Sequence, residues 1–221
     1  MRTLVWFISL SILFLGIINC EKENTKPHSK RFFDKKKKWY ITYHMNSCPY
    51  YNCTYTELYT IGEDTIINSF EYKKIFKITG KDAPKDTMLY GFGRESKDKK
   101  IYLLKNKQEV MYYDFGANLQ DTIGDWVVNS IQTETYFGTE RKKTELISLC
   151  TSDTSYWIEG IGSIDGLFTP KYFSCMDSIV TIVIGGSIYE LNCVYKGDSK
   201  IFKSELYNDC WIFEPYNNKN E

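Results

Sequence analysis

Trp39-Tyr40-Ile41-Thr42-Tyr43 is the stretch on which the fold reading turns. Large side chains alternate along it, and a period of two sends successive residues to opposite faces of a strand. The same texture returns at Lys100-Ile101-Tyr102-Leu103-Leu104, at Glu109-Val110-Met111-Tyr112-Tyr113 and at Ser187-Ile188-Tyr189-Glu190-Leu191-Asn192-Cys193. Turn-forming residues separate such runs, as in Gly62-Glu63-Asp64, Ser96-Lys97-Asp98 and Lys196-Gly197-Asp198. No stretch holds a 3.6-residue period over three turns. Ile123 to Ile131 is a short helix candidate, although Trp126-Val127-Val128 suits a strand equally well. Short β-prone runs at roughly ten-residue intervals predict an all-β fold: a single antiparallel sandwich or barrel-like domain over 39–215, disulfide-stabilised, with a disordered tail over 216–221.

Ahead of that domain lies a different kind of sequence. Arg2 precedes an apolar run, Leu4 to Ile18, broken only by Ser9, Ser11 and Gly16. This run is short for a bilayer span and fits the n-region and h-region of an export signal over 1–20. Its end, Leu15-Gly16-Ile17-Ile18-Asn19-Cys20, resembles the lipobox of bacterial lipoproteins, with Asn19 departing from the small residue usual before the lipidated cysteine. Cys20 is then a lipidation site carrying palmitate-type chains; plain secretion and an uncleaved anchor are the alternatives. Two or more acyl chains hold a protein firmly where one gives marginal binding. Residues 21–38 are polar and basic, with Lys35-Lys36-Lys37-Lys38 at their end, and read as a solvated tether.

Arg2 is the only charge in the leader, so the exported chain carries 27 basic and 28 acidic side chains, a net of −1. No global field draws it to nucleic acid. Apart from Cys20 there are six cysteines, Cys48, Cys53, Cys150, Cys175, Cys193 and Cys210. An even number in an oxidising compartment favours disulfides, here expected as Cys48 with Cys53 and Cys175 with Cys193. The chain has no Cys-x-x-Cys, and His28 and His44 lie away from any cysteine pair, so no metal site and no cofactor is expected.

Three triplets echo one another at intervals of 57 and 56 residues: Asp64-Thr65-Ile66, Asp121-Thr122-Ile123 and Asp177-Ser178-Ile179. Their flanks align poorly, so a recurrent turn into a strand explains them better than a repeat. Several longer phrases carry a resemblance. They are Tyr59 to Asn68 followed by Tyr72-Lys73-Lys74-Ile75, Tyr90-Gly91-Phe92-Gly93-Arg94-Glu95, Tyr113-Asp114-Phe115, and Trp157-Ile158-Glu159-Gly160-Ile161-Gly162-Ser163, with Cys175 and Cys193 bracketing a strand pair. In order and spacing they resemble an uncharacterised group of secreted proteins and lipoproteins of Bacteroidota, often joined to a type IX secretion sorting domain. The resemblance spans about Thr60 to Cys193 and implies a lineage and a compartment, with no known activity. The chain ends at Glu221 without a recognisable sorting domain, which fits retention by lipid. That lineage implies O-glycosylation at Asp-(Ser/Thr)-apolar triplets, matched by Thr65, Thr87, Thr122 and Ser178.

Gly160-Ile161-Gly162 has dinucleotide-like spacing but lacks the third glycine, the helix and the later acid, so a glycine-permitted hairpin or bulge is the simpler reading. There is no Gly-x-Ser-x-Gly elbow, and His44 is the one base the folded part offers a triad. Glu159, beside Trp157 and the glycine turn, is the weak catalytic candidate, to be inspected for a raised pKa. Tyr50-Tyr51, Tyr112-Tyr113 and Tyr156-Trp157 are each expected to send one ring in and one out. Outward rings suit sugar faces; inward rings pack a core. The expected function is therefore a cell-envelope lipoprotein, lipid-anchored with the outer membrane as its seat, acting as a non-enzymatic binding or scaffolding module for a glycan or an envelope protein. The alternative is a carboxylate-dependent hydrolase of polysaccharide or peptide. An enzyme would present a pocket with two facing acids, and a binding module a grooved aromatic face. Mass spectrometry of protein from native membranes is expected to find a mature N-terminus at acylated Cys20; an unmodified N-terminus downstream contradicts the anchor.

Overall fold

The computed structural model describes residues 30–45, 53–79, 87–168 and 187–214. Within them the chain forms fourteen strands and no helix. Nine strands build one antiparallel sheet. Its path runs β13 (Ser199–Lys203), β12 (Ser187–Lys196), β1 (Lys37–Met45), β2 (Cys53–Ile67), β3 (Phe70–Thr79), β4 (Thr87–Glu95), β5 (Lys100–Lys105) and β6 (Gln108–Asp114), and β14 (Phe213–Glu214) adds to the near end of β2. The second sheet is a meander, β11 (Gly162–Ser163), β10 (Thr154–Ile158), β9 (Thr139–Ser148), β8 (Trp126–Tyr136) and β7 (Thr122–Ile123). Ile123 to Ile131 is thus strand throughout its β8 portion. The tryptophan and paired valines of β8 place Trp126 and Val128 in the core and Val127 on the other face.

One core lies between the sheets. The large sheet contributes Trp39, Ile41, Tyr59, Ile61, Ile75, Ile101, Leu103, Tyr113, Leu191 and Val194, and the small sheet Ile123, Trp126, Val128, Leu146, Trp157 and Ile158. Burying each such side chain contributes roughly 1.5–3 kcal/mol relative to exposure. The expected alternation of Trp39, Ile41 and Tyr43 holds, since all three are buried. Tyr112 and Tyr113 depart from theirs. A register shift between Ile101 and Tyr102 opposite them lets both rings reach apolar neighbours, Tyr112 against Phe168 and Tyr113 against Phe115 and Trp157. Tyr50 and Tyr51 lie outside the described residues.

The basic run before β1 is not wholly a solvated tether. Phe32 and Phe33 are buried in the core, and Lys37 is fully buried as the first residue of β1. Phe32 packs on Trp39, Tyr113 and Phe115, while its amide donates to Glu95 Oε2 at 2.9 Å. Phe33 sets its ring against β4 because Gly93 has no side chain; a Cβ there would sit 2.2 Å from the ring. Two adjacent aromatics outweigh the charges around them.

Lys37 heads a clamp on the β10–β11 turn. Its ammonium donates to the carbonyls of Arg31, Phe32 and Gly160. Trp39 Nε1 donates to Ile161 O at 2.8 Å, and Arg141 Nη1 to Glu159 O at 2.9 Å. Three consecutive carbonyls are therefore gripped by side chains from β1 and β9, one strand from each sheet. Gly160 supplies the turn at φ +69°, and a Cβ on it would lie 2.3 Å from Lys30 O. Gly160 and Gly162 thus serve the expected hairpin, with Ile158 paired to Gly162.

The opposite face of β1, β2 and β12 is closed by residues 204–212. A register shift opposite Tyr40 and Ile41 brings Asn192 and Cys193 together on that face. Asn192 Nδ2 donates to Asp209 O at 2.8 Å and Cys210 O at 3.2 Å, and Cys193 forms a disulfide with Cys210. Cys193 is thus in a disulfide, but its partner is Cys210 rather than Cys175, because the bulge turns its sulfur toward this returning segment. Cys150 is disulfide-bonded as well. Cys20, Cys48, Cys175 and the side chain of Cys53 lie outside the described residues.

Burial, and then the charge of Arg141, push the Lys37 ammonium down from 10.5 to about 7. Between pH 7 and 10.5 the unfolded chain binds a proton that the folded one does not, so stability rises with pH across that window. Urea unfolding is expected to show this rise, and Lys37→Met is expected to flatten it while lowering stability through the lost bonds to the carbonyls of Arg31, Phe32 and Gly160. An equal slope in both proteins contradicts the assignment.

Candidate functional site

A cleft among the described residues opens beside Phe168, against the inner face of β1, β2, β3 and β12. It encloses about 290 Å³ and is lined by Glu57, Tyr59, Lys77, Tyr90, Lys105, Phe168 and Tyr189, with Ile41 and Leu167 at its base. Its walls are aromatic for a reason that starts in the strands. Glu57 and Tyr59 sit two apart on β2 and so share a face, and Lys77 stands opposite Tyr59 on β3. Phe168 comes after the clamped β10–β11 turn and fills the far wall. It stacks on Tyr90 with centroids 5.7 Å apart and meets Tyr59 edge-on.

At the polar end, Glu57 is a buried carboxylate with both oxygens used. Lys77 Nζ reaches Oε1 at 2.6 Å, and Tyr59 OH donates to Oε2 at 2.8 Å. Burial, then the Glu57 charge, push the Tyr59 phenol far above its ordinary value. Burial and the neighbouring Tyr112 do the same for Tyr90, and burial with Tyr43 raises Tyr189. These rings therefore stay protonated at neutral pH. They give the cleft apolar walls and no phenolate base, and Tyr59 already spends its hydroxyl on Glu57.

Glu159 does not behave as a raised-pKa acid. Burial opposes its charge, but Lys99 Nζ at 2.8 Å and Lys30 Nζ at 3.7 Å bring the carboxyl below its ordinary value. Its backbone belongs to the clamp. The acid pushed upward is instead Glu95, by the partial loss of its water, and it accepts the Phe32 amide. His44 is engaged at both ring nitrogens, by Thr54 Oγ1 at 3.0 Å and by Tyr207 OH, with Glu190 Oε2 3.5 Å away. The hydroxyl beside it is a threonine's, and its second nitrogen is taken by a phenol that also donates to Glu190.

Of the expected modification positions, Thr87 and Thr122 are exposed and Thr65 is half-buried within β2. Ser178 lies outside the described residues. Asp64-Thr65-Ile66 is therefore inside a strand, whereas Asp121-Thr122-Ile123 leads into one. The sequence reading missed Glu57, Lys77 and Phe168. Their one available signal was Thr56-Glu57-Leu58-Tyr59, an acid and a ring in strand spacing.

No protein family, curated protein or solved structure matches this chain.

A double-mutant cycle of Glu57→Gln and Lys77→Met, read by urea unfolding, is expected to give a coupling of about 1 kcal/mol or more, since the pair shares a half-enclosed cleft. Additive effects contradict the ion pair.

Proposed function

We propose that this chain is a cell-envelope lipoprotein, held through acylated Cys20, whose β domain is a non-enzymatic glycan-binding module. The observation that carries the reading is the cleft whose walls are Tyr59, Tyr90, Tyr189 and Phe168 around a single ion-paired carboxylate. Pyranose rings expose apolar C–H faces that stack on such walls, while their hydroxyls bond to phenols, ammonium groups and carboxylates. The compartment rests on the leader and on disulfides that suit an oxidising environment.

The hydrolase alternative requires two carboxyls facing one bond. The aromatic cleft presents Glu57 alone among its described lining residues. A separate groove carries Glu71 and Glu95, but Glu71 pairs with Lys73 at 3.1 Å and Glu95 accepts the Phe32 amide. Glu95 is thus committed to the fold, and Glu71 is an exposed acid that shares Lys73 with Asp64.

Full-length protein in detergent micelles, screened against immobilised polysaccharides, is expected to bind at least one glycan class without releasing reducing ends. Tyr90→Ala is expected to weaken that binding at least about tenfold, by loss of the shared aromatic wall. Product release that Glu57→Gln abolishes would overturn the reading in favour of the hydrolase.

A further inference from the structure

The aromatic cleft has a neighbour at the end of β5. A second depression of about 340 Å³ adjoins it, lined by Leu89, Tyr90 and Phe92 of β4 and by Lys105, Asn106 and Lys107 at the β5–β6 turn. Tyr90 and Lys105 belong to both. Tyr90 and Lys105 are therefore the residues through which the two depressions meet.

Their charge is uneven. The two linings carry three lysines, Lys77, Lys105 and Lys107, and one acid, Glu57, which Lys77 already neutralises. Lys105 Nζ lies 4.2 Å from the Tyr90 ring centroid, and among the described residues neither Lys105 nor Lys107 pairs with a carboxylate. Both are exposed and so remain available to a ligand.

The turn adds an independent sign. Lys105 pairs with Gln108, so Asn106 and Lys107 are the two residues of a tight hairpin turn, with φ of +51° and +64°. Asparagine is favoured at the first such position and glycine at the second. A lysine stands where glycine relieves strain, and it brings a second ammonium to the rim of the second depression.

Resting on the glycan-binding reading, the geometry points to an acidic oligosaccharide as the ligand. One ring packs against the Tyr90 and Lys105 side chains, and a carboxylate or sulfate of that ring or its neighbour is held by Lys105 and Lys107. Both anions share the chemistry that the two ammonium groups recognise.

The test is calorimetric titration of the full-length protein with three probes of equal length: an oligogalacturonate, a sulfated galactan oligomer and a neutral galactan oligomer. Wild-type protein is expected to bind an acidic probe more tightly than the neutral one, and less tightly as salt rises. The better of the two acidic probes identifies the anion. Lys105→Gln is expected to weaken acidic binding by about tenfold, the scale of one lost charge-assisted contact. Lys107→Gly is the sharper variant, because it is expected to raise Tm by relieving the turn while still weakening acidic binding, which separates charge from folding. Equal binding of acidic and neutral probes, unmoved by either lysine variant but abolished by Tyr90→Ala, overturns the acidic ligand and leaves the glycan reading standing. Binding of none of the three, together with none on the polysaccharide screen, overturns both.

Discussion

Three side chains from two sheets hold three consecutive carbonyls of one turn, and the rest of the domain depends on that grip. Lys37 and Trp39 come from β1, and Arg141 from β9. A turn at Glu159-Gly160-Ile161 left without these donors would bury three carbonyls unpaired, each costing about 1–3 kcal/mol. The clamp also fixes the residues that come after it in the chain. Leu167 and Phe168 enter the core just after β11, and Phe168 becomes the wall on which Tyr90 stacks. Lys37 further caps the carbonyls of Arg31 and Phe32, so the N-terminal aromatic plug is part of the same device.

This arrangement buries two cations. Lys37 is fully enclosed, and Arg141 is too, with Nε and Nη2 unpartnered among the described residues. Burial works against the charge of both, and Lys37 yields because an ammonium gives up its proton far more readily than a guanidinium. The cleft uses the opposite solution. There Glu57 is matched by Lys77 and by a phenol, so a buried acid is satisfied locally and the aromatic walls stay neutral. The difference sorts the two regions by role: the clamp commits its donors to backbone, whereas the rim of the cleft holds Lys105 and Lys107 without a carboxylate partner among the described residues.

Strands were legible because alternation is local. Trp39 to Tyr43 and Ser187 to Cys193 read as strands from their own residues, and they lie side by side as β1 and β12. The glycine hairpin after Trp157 was legible for the same reason. Features that depend on partners distant in sequence could not be read. Phe32 and Phe33 read as part of a basic tether because four lysines come after them, yet Gly93 on β4 leaves the space that Phe33 fills. The pairing of Cys193 with Cys210 arises from a bulge beside Tyr40, which strand periodicity does not announce. Glu57 joins Lys77 across a strand pair, and Glu159 stood out only because its neighbours in sequence are unusual. Its neighbours in space, Lys99 and Lys30, make it an ordinary structural ion pair.

Amide hydrogen exchange on Trp39→Phe tests the clamp most directly, since that change removes one indole donor and keeps an aromatic ring in its place. If the clamp joins both sheets, protection falls together in 37–45, 87–95 and 154–163, by a similar free energy in each. Loss of protection confined to 159–161, with both sheets unmoved, would contradict the account.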